Sequence, residues 1–505
     1  MPRELRSMVM VEQLLARPPD SAMRNYYDKL SASGRGPGVR VEQIGGALGK
    51  GLFADRDFKE DELVLREPKL VGAQHTANKA DALVCSFCFQ YIGSLELQIG
   101  RRLLPGGDEC LPDASQHHDR SHNSTSKTER SGQNSRGLDE LAMDIDECSR
   151  HESNDGEEGC GCEDMPSGKK PVSAKLVNAL LNGGISLPES DLFPLPPIVN
   201  CLGGCSEELF CSKACADEAW NSYHSLLCRG PGSLCQDQKA LTRFKEFADD
   251  TNDIFHVAAQ VISGTILQAQ RLKNEKGEHQ IGRKLTDLEQ EQEDFDILLR
   301  AWEPFAMGHK KLWWEAVALP NGMTSSEEPA FREEIKGLAF KSLKYLKEAI
   351  YEEAFSPLFS LEVYGHIIGM FEQNNLEIVV ASPVEDYFIY IDDLPPLAKA
   401  EADLIVEPFL EALGSDYAAY CQGSGFFALQ SCINHSCQPN AKAFKRDEDR
   451  DGHAVVLATT PIRKGEEITI SYIDEDADLE DRQAMLADYG FVCACPRCGE
   501  ESSQS

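Results

Sequence analysis

The sequence predicts an α+β fold: a β-rich core with strands from both ends of the chain, a helical insert between them, and cysteine sets spaced for zinc. Three observations point to it. Short β patterns stand early, at Gly49-Lys50-Gly51-Leu52-Phe53-Ala54 and Leu63-Val64-Leu65-Arg66-Glu67, and return after Ser360, ending in Ile468-Thr469-Ile470-Ser471-Tyr472 behind a Lys464-Gly465 turn. From about Gln236 to Phe355 the apolar period is helical, clearest at Ile335, Ala339, Leu343, Leu346 and Ile350 with Lys and Glu between them. Cysteines recur in closely spaced pairs.

At 505 residues the chain has room for roughly three domains. It is 41% hydrophobic and 27% charged, as soluble globular chains are. No apolar run approaches the ~20 residues of a bilayer span, so no membrane segment is expected. The balance of 50 Lys plus Arg against 84 Asp plus Glu, net −34, disfavours direct nucleic-acid binding and favours a basic partner or substrate. Met1 to Leu15 shows neither an apolar signal core nor a small-residue cleavage site, so secretion is not expected. In a reducing compartment, 18 cysteines at short spacings read as metal ligands ahead of disulfides.

From about 105 to 192 the chain has no Phe, Tyr or Trp and is dense in Asp, Glu, Ser, Gly, Asn and His, which predicts a disordered acidic insertion. It interrupts something folded, because Cys85 and Cys88 precede it and Cys201 to Cys228 follow it. Cys85-x2-Cys88, Cys201-x3-Cys205, Cys211-x3-Cys215 and His224-x3-Cys228 supply seven thiolates and one imidazole, enough for two closed tetrahedral zinc sites of structural type. The spacing in the last two pairs predicts a short helix-turn-helix that presents four of the ligands.

These residues resemble the MYND zinc finger, whose second half is matched by Phe210-Cys211-Ser212-Lys213-Ala214-Cys215 and Trp220-x3-His224-x3-Cys228. The resemblance implies interleaved ligation, with Cys85, Cys88, Cys211 and Cys215 on one zinc and Cys201, Cys205, His224 and Cys228 on the other. More than a hundred residues separate Cys88 from Cys201, which departs from the usual MYND spacing. Closing so long a loop costs only a few kcal/mol, less than a structural zinc supplies.

Asn434-His435-Ser436-Cys437-Gln438-Pro439-Asn440 and Gly465-Glu466-Glu467-Ile468-Thr469-Ile470-Ser471-Tyr472 resemble the two signature motifs of SET-domain lysine methyltransferases. Gly49-Lys50-Gly51 resembles the bend at which SET backbone approaches S-adenosylmethionine. The order of parts is that of the SET-and-MYND (SMYD) family. The shortened end, with Gly423-Ser424-Gly425-Phe426-Phe427 before the Asn-His motif, looks most like the family's divergent fifth member and the second of the plant trithorax-related class.

The resemblance implies an N-terminal segment at 1–36, a first SET part at 37–84, a MYND finger at 85–228 broken by the insertion, a helical insert at 229–359, a SET core at 360–475 and a post-SET zinc tail at 476–505. It further implies Tyr472 as the catalytic pocket hydroxyl. Lys50, Gly51, Asn374, Asn434, His435, Tyr472 and Phe491 are the implied cofactor contacts, with Phe491 stacking on adenine. Phe427 falls where many SMYD enzymes carry a second pocket tyrosine.

Cys493-x-Cys495-x2-Cys498 joins Cys437 in an all-thiolate set like the family's post-SET zinc, making three zinc sites expected. Cys110, Cys148, Cys160, Cys162, Cys235, Cys421 and Cys432 show no ligand pattern. The carboxylates at Asp474, Glu475, Asp476, Asp478, Glu480 and Asp481 suit either a solvated loop or the rim of a groove for a basic peptide. The expected function is S-adenosylmethionine-dependent protein-lysine methylation, with a basic protein such as a histone tail, H3 first, as substrate. A proline-rich peptide at the MYND finger and residence in nucleus and/or cytoplasm complete the expectation. The alternative is a MYND-based interaction scaffold with a weak or silent SET domain, for which Phe427 is the best support.

Overall fold

The structure, a computed structural model, describes residues 3–45, 49–104, 172–277, 286–308, 311–320 and 322–504. It opens with two helices, α1 (Arg3–Leu15) and α2 (Asp20–Ala32), followed by strands β1 (Val39–Gly45), β2 (Gly49–Ala54), β3 (Leu63–Glu67) and β4 (Val71–Gln74). Helix α3 (Leu95–Arg102) precedes the acidic insertion, and α4 (Ala174–Leu181) lies in its last part. The short pair β5 (Val199–Asn200) and β6 (Leu209–Phe210) leads into α5 (Lys213–Ala219), a π turn (Trp220–His224) and α6 (Ser225–Leu227). The helical insert comprises α7 (Gln238–Thr251), α8 (Ile254–Gly277), α9 (Asp287–Ala306), α10 (Trp313–Ala316) and α11 (Glu328–Ile350). Then come α12 (Leu361–Asn374), β7 (Asn375–Val380), α13 (Pro383–Asp392), α14 (Pro396–Leu413), β8 (Cys421–Phe426), β9 (Asn434–His435), β10 (Ala441–Ala443), β11 (Ala454–Ala458), β12 (Glu467–Ile470), α15 (Leu479–Asp488) and α16 (Pro496–Gln504).

Strands from the two ends of the chain interleave. One sheet runs β1-β2-β12-β9, a second β10-β11-β3 and a third β4-β8-β7. Every pairing is antiparallel except β12 with β9. Gly45 and Gly49, at φ +80° and +66°, let the chain leave β1 and enter β2 in a conformation that side chains resist. The helical insert docks on this framework by filling polar needs as well as apolar ones. Gln260 on α8 pairs with both backbone groups of Gly72 on β4 (3.1 Å each), and Trp302 on α9 donates to the carbonyl of Leu14 on α1 (2.8 Å).

Three expectations are corrected. The aromatic-free insertion was expected to be disordered through Leu192, but its end is ordered from Val172. There Ser173 caps α4, and Leu180 and Leu187 pack with Leu95 and Ile99 of α3 and Tyr387 of α13. The part from 105 to 171 lies outside the described residues. Past Ser360 the chain is not simply β, since α12, α13 and α14 come before β8. Between Cys211 and Cys228 there is one continuous helical run rather than a helix-turn-helix; its π turn shifts the phase and brings His224 inward.

Arg102, at the end of α3, shows how loops are tied to the core. Its five donors reach the carbonyls of Asp81, Asp416, Tyr417 and Ala419 and the hydroxyl of Ser382, at 2.5 to 3.2 Å. Arg102→Ala is expected to cost about 2–4 kcal/mol in urea unfolding, because several carbonyls lose their donor together. Arg102→Lys should recover only part of that, since one ammonium cannot reach all five acceptors.

Candidate active site and cysteine centres

Three distant segments meet at β2, β9 and β12. Thr469 and Ile470 pair with Asn434 and His435, and Ser436 N donates to Ile470 O (3.0 Å). Asn440 clamps the far end of this loop, donating to Glu467 O (2.8 Å) and accepting from Thr469 N (2.9 Å). With the loop fixed, Asn434 Nδ2 donates to Lys50 O (3.0 Å) and to Glu467 Oε1 (2.7 Å). Gly51 sits beneath this junction. A Cβ there would lie 2.5 Å from Ile44 Cδ1, 2.7 Å from Glu467 Oε1 and 3.1 Å from Asn434 Nδ2, so a larger residue would have to displace these side-chain ends.

His435 and Tyr472 form the next layer. Tyr472 N donates to His435 Nδ1 (3.1 Å), and His435 Nε2 lies 3.2 Å from Cys437 Sγ. Burial, with the Arg482 charge nearby, lowers the His435 imidazole to about 4, consistent with a neutral ring whose Nδ1 accepts. The Tyr472 hydroxyl donates to Ile433 O (2.5 Å), and its ring lies 5.4 Å from His435, 5.2 Å from Tyr489 and 6.5 Å from Phe491, centroid to centroid. Burial raises the Tyr472 phenol above its ordinary value. Phe491 also flanks His435, at 6.0 Å.

On the other side, Lys50 Nζ donates to Tyr27 OH and to Met307 O, both at 2.6 Å. Gly308, next in the chain, lies against Met370; an added Cβ would come within 2.3 Å of its sulfur. Asn374, the last residue of α12, donates from Nδ2 to Met370 O one turn back (2.7 Å). Phe427 is fully buried and packs with Ile378, Val380, Cys421 and Ala454.

Sequence reading missed four participants: Tyr27, Glu67, Met307 and Glu467. Glu67 is fully buried and takes the N–H groups of Leu429 (3.0 and 2.9 Å) and Gln430 (3.0 Å), anchoring the turn that leads to Ile433 and Asn434. Burial raises its carboxyl to about 7 against the pull of those donors. A signal was present, since Leu65 and Glu67 fall on one strand face either side of Arg66, and a carboxylate on an inward face needs donors.

The cysteines gather in three sets: Cys85, Cys88, Cys211 and Cys215; Cys201, Cys205, His224 and Cys228; and Cys437, Cys493, Cys495 and Cys498. None is disulfide-bonded. A zinc–sulfur bond of about 2.3 Å puts sulfurs at tetrahedral corners about 3.8 Å apart. The chain has Sγ separations of 3.5 Å for Cys88–Cys211 and Cys211–Cys215, 3.7 Å for Cys201–Cys228, 3.9 Å for Cys437–Cys493 and 3.5 Å for Cys437–Cys498. His224 Nε2 lies 3.1 and 3.4 Å from Cys201 and Cys205. The donor types and spacings fit zinc in all three. Asp249, Asp253 and His256 also cluster, but they are engaged by one another and by Thr76 and Lys79.

A glycine bend, an Asn-His strand paired in parallel with β12 and a tyrosine just beyond that strand, drawn from both ends of the chain, define a SET-domain protein-lysine methyltransferase. The SET-domain profile matches residues 49–473, and the chain belongs to that family. Among its relatives, histone-lysine N-methyltransferase ATXR2 of Arabidopsis thaliana is 47% identical over 98% of this chain and 97% of its own length. Protein-lysine N-trimethyltransferase SMYD5 of Homo sapiens is 28% identical over 59% of this chain, which spans 65% of that relative's length. Histone-lysine N-methyltransferase SET5 of Eremothecium gossypii is 37% identical over 24% of each chain. Among the described residues no helix is long and apolar enough to cross a membrane.

Proposed function

We propose that this methyltransferase acts on a lysine of the histone H3 tail, in the nucleus, with Tyr472 as the catalytic hydroxyl. Lys50, Gly51, Asn374, Asn434, His435 and Phe491 surround S-adenosylmethionine in this reading. The observation that carries it is the junction itself, where Asn434 bridges Lys50 and Glu467 while His435 receives the backbone N–H of Tyr472.

S-adenosylmethionine, when bound, supplies an activated methyl group on a sulfonium sulfur. The remaining task is alignment. Because the Tyr472 hydroxyl spends its proton on Ile433 O, its oxygen is free to accept an N–H from the incoming lysine amine and aim the amine lone pair. The rings of Tyr472, Tyr489 and Phe491 exclude water and favour the neutral amine over the ammonium. His435 holds the Tyr472 backbone in place.

The three cysteine sets hold zinc in this reading: the first two as a MYND finger able to take a proline-rich peptide, the third as a post-SET site. The net charge of −34 supports a basic substrate, as do the exposed Asp474, Glu475, Asp476 and Asp481 beyond Tyr472; Asp478 is spent capping α15. Radiolabelled methyl transfer to core histones and to cell-extract protein tests the proposal. Label on H3 supports it, and label confined to non-histone protein replaces the substrate. No transfer to any protein favours the scaffold.

A further inference from the structure

Helix α2, within the N-terminal segment at 1–36, packs on the elements of the junction. Its buried residues Met23, Tyr26 and Tyr27 share one face and meet Leu52 of β2 together with Leu429, Cys432 and Ile433 of the loop before Asn434. Tyr27 stands between those two walls. Its hydroxyl takes the hydrogen bond from Lys50 Nζ (2.6 Å), and the same ammonium lies 5.1 Å from the ring centroid. Cys432, in the same buried cluster as Tyr27, donates from its sulfur to Ala428 O (3.3 Å), next to the Leu429 and Gln430 amides that Glu67 anchors.

We infer that Tyr27 is a positioning residue for cofactor binding, holding the Lys50 ammonium in place through its hydroxyl. This rests on the reading that Lys50 faces S-adenosylmethionine. An ammonium has three donors; Tyr27 and Met307 take two, leaving one to aim at an anionic group such as the cofactor's carboxylate. Lysine is a flexible cation, and fixing its four-carbon stem costs rotamer entropy when a ligand must do it. A partner that fixes it beforehand moves that cost into folding and tightens binding. Tyr27 suits the task chemically, since burial keeps its phenol protonated and its oxygen able to accept from Lys50.

The effect belongs to cofactor affinity and not to turnover, which separates it from a packing role. In the full-length chain, Tyr27→Phe removes the hydroxyl and keeps the ring. Calorimetric titration with S-adenosylmethionine is expected to show a dissociation constant raised about five- to tenfold. kcat at saturating cofactor should stay within about twofold, and Tm within about 2 °C. Lys50→Met should weaken binding at least as much, and adding Tyr27→Phe to it should change nothing further, as two residues acting through one group require. If Tyr27→Phe binds like the parent while Lys50→Met binds weakly, Lys50 needs no positioning and the inference falls, though its place at the cofactor stands. If Lys50→Met binds like the parent, that placement fails and takes the inference with it. Losses that add in the double variant, or binding, kcat and Tm falling together, would assign Tyr27 to packing and overturn the proposal.

Discussion

Tyr472→Phe is expected to lower kcat for methyl transfer about a hundredfold, the scale seen when one preorganised hydrogen-bonding group is removed from a reacting centre. The substitution deletes one oxygen and keeps a ring held on three sides, by His435, Tyr489 and Phe491. Its structural cost is the hydrogen bond to Ile433 O, about 1 kcal/mol, so the variant should fold and bind cofactor nearly as the parent does. The pH profile distinguishes orientation from acid–base work. Because burial raises the phenol above its ordinary value, Tyr472 stays protonated throughout the working range and contributes no ionisation limb there. Parent and variant profiles should therefore run parallel, displaced vertically. A variant retaining parental kcat on every tested protein would remove Tyr472 from the catalytic role.

How much of this was legible in the sequence depended on how local each cause is. β2 and β3 fall where the patterns put them, because two short apolar runs with a charged turn between them can hardly form anything else. The cysteine sets were equally legible, since ligand spacing reflects the reach of side chains around one ion. Helix α4 was hidden because acidic, aromatic-free surroundings masked a short amphipathic run whose Val177 and Leu180 are buried. Glu67 and Tyr27 were missed for a different reason. Their partners, the Leu429 amide and the Lys50 ammonium, lie far off in sequence or on another element, and no periodicity encodes which strand will lie beside which helix. The junction was recognised by motif resemblance; the second ring of residues that holds it became visible only from tertiary contacts.

Metal removal should act most strongly through the third cysteine set, because that set ties the tail to the junction. Cys437 lies two residues beyond His435, and Cys493 two beyond Phe491, so one ion held by Cys437, Cys493, Cys495 and Cys498 fixes both sides of the aromatic wall. Neighbouring groups reinforce the link: Gln483 bonds both backbone groups of Cys493 at 2.9 Å, and the buried Arg482 reaches Cys498 Sγ and Glu501. A structural zinc supplies about 10–16 kcal/mol of apparent binding free energy in small domains, far more than α15 and α16 can gain from their own packing. Cys495→Ser should lower the zinc content by one ion per chain, with methyl transfer lost by about a hundredfold or more. Far-UV circular dichroism should change little, since the three sheets and the helical insert do not depend on the tail. Cys215→Ser should also lose one ion but retain cofactor affinity, because its set lies away from Lys50, Asn434 and Tyr472. Equal loss of methyl transfer in the two variants would mean that the tail closes nothing, and that the metals serve global folding alone.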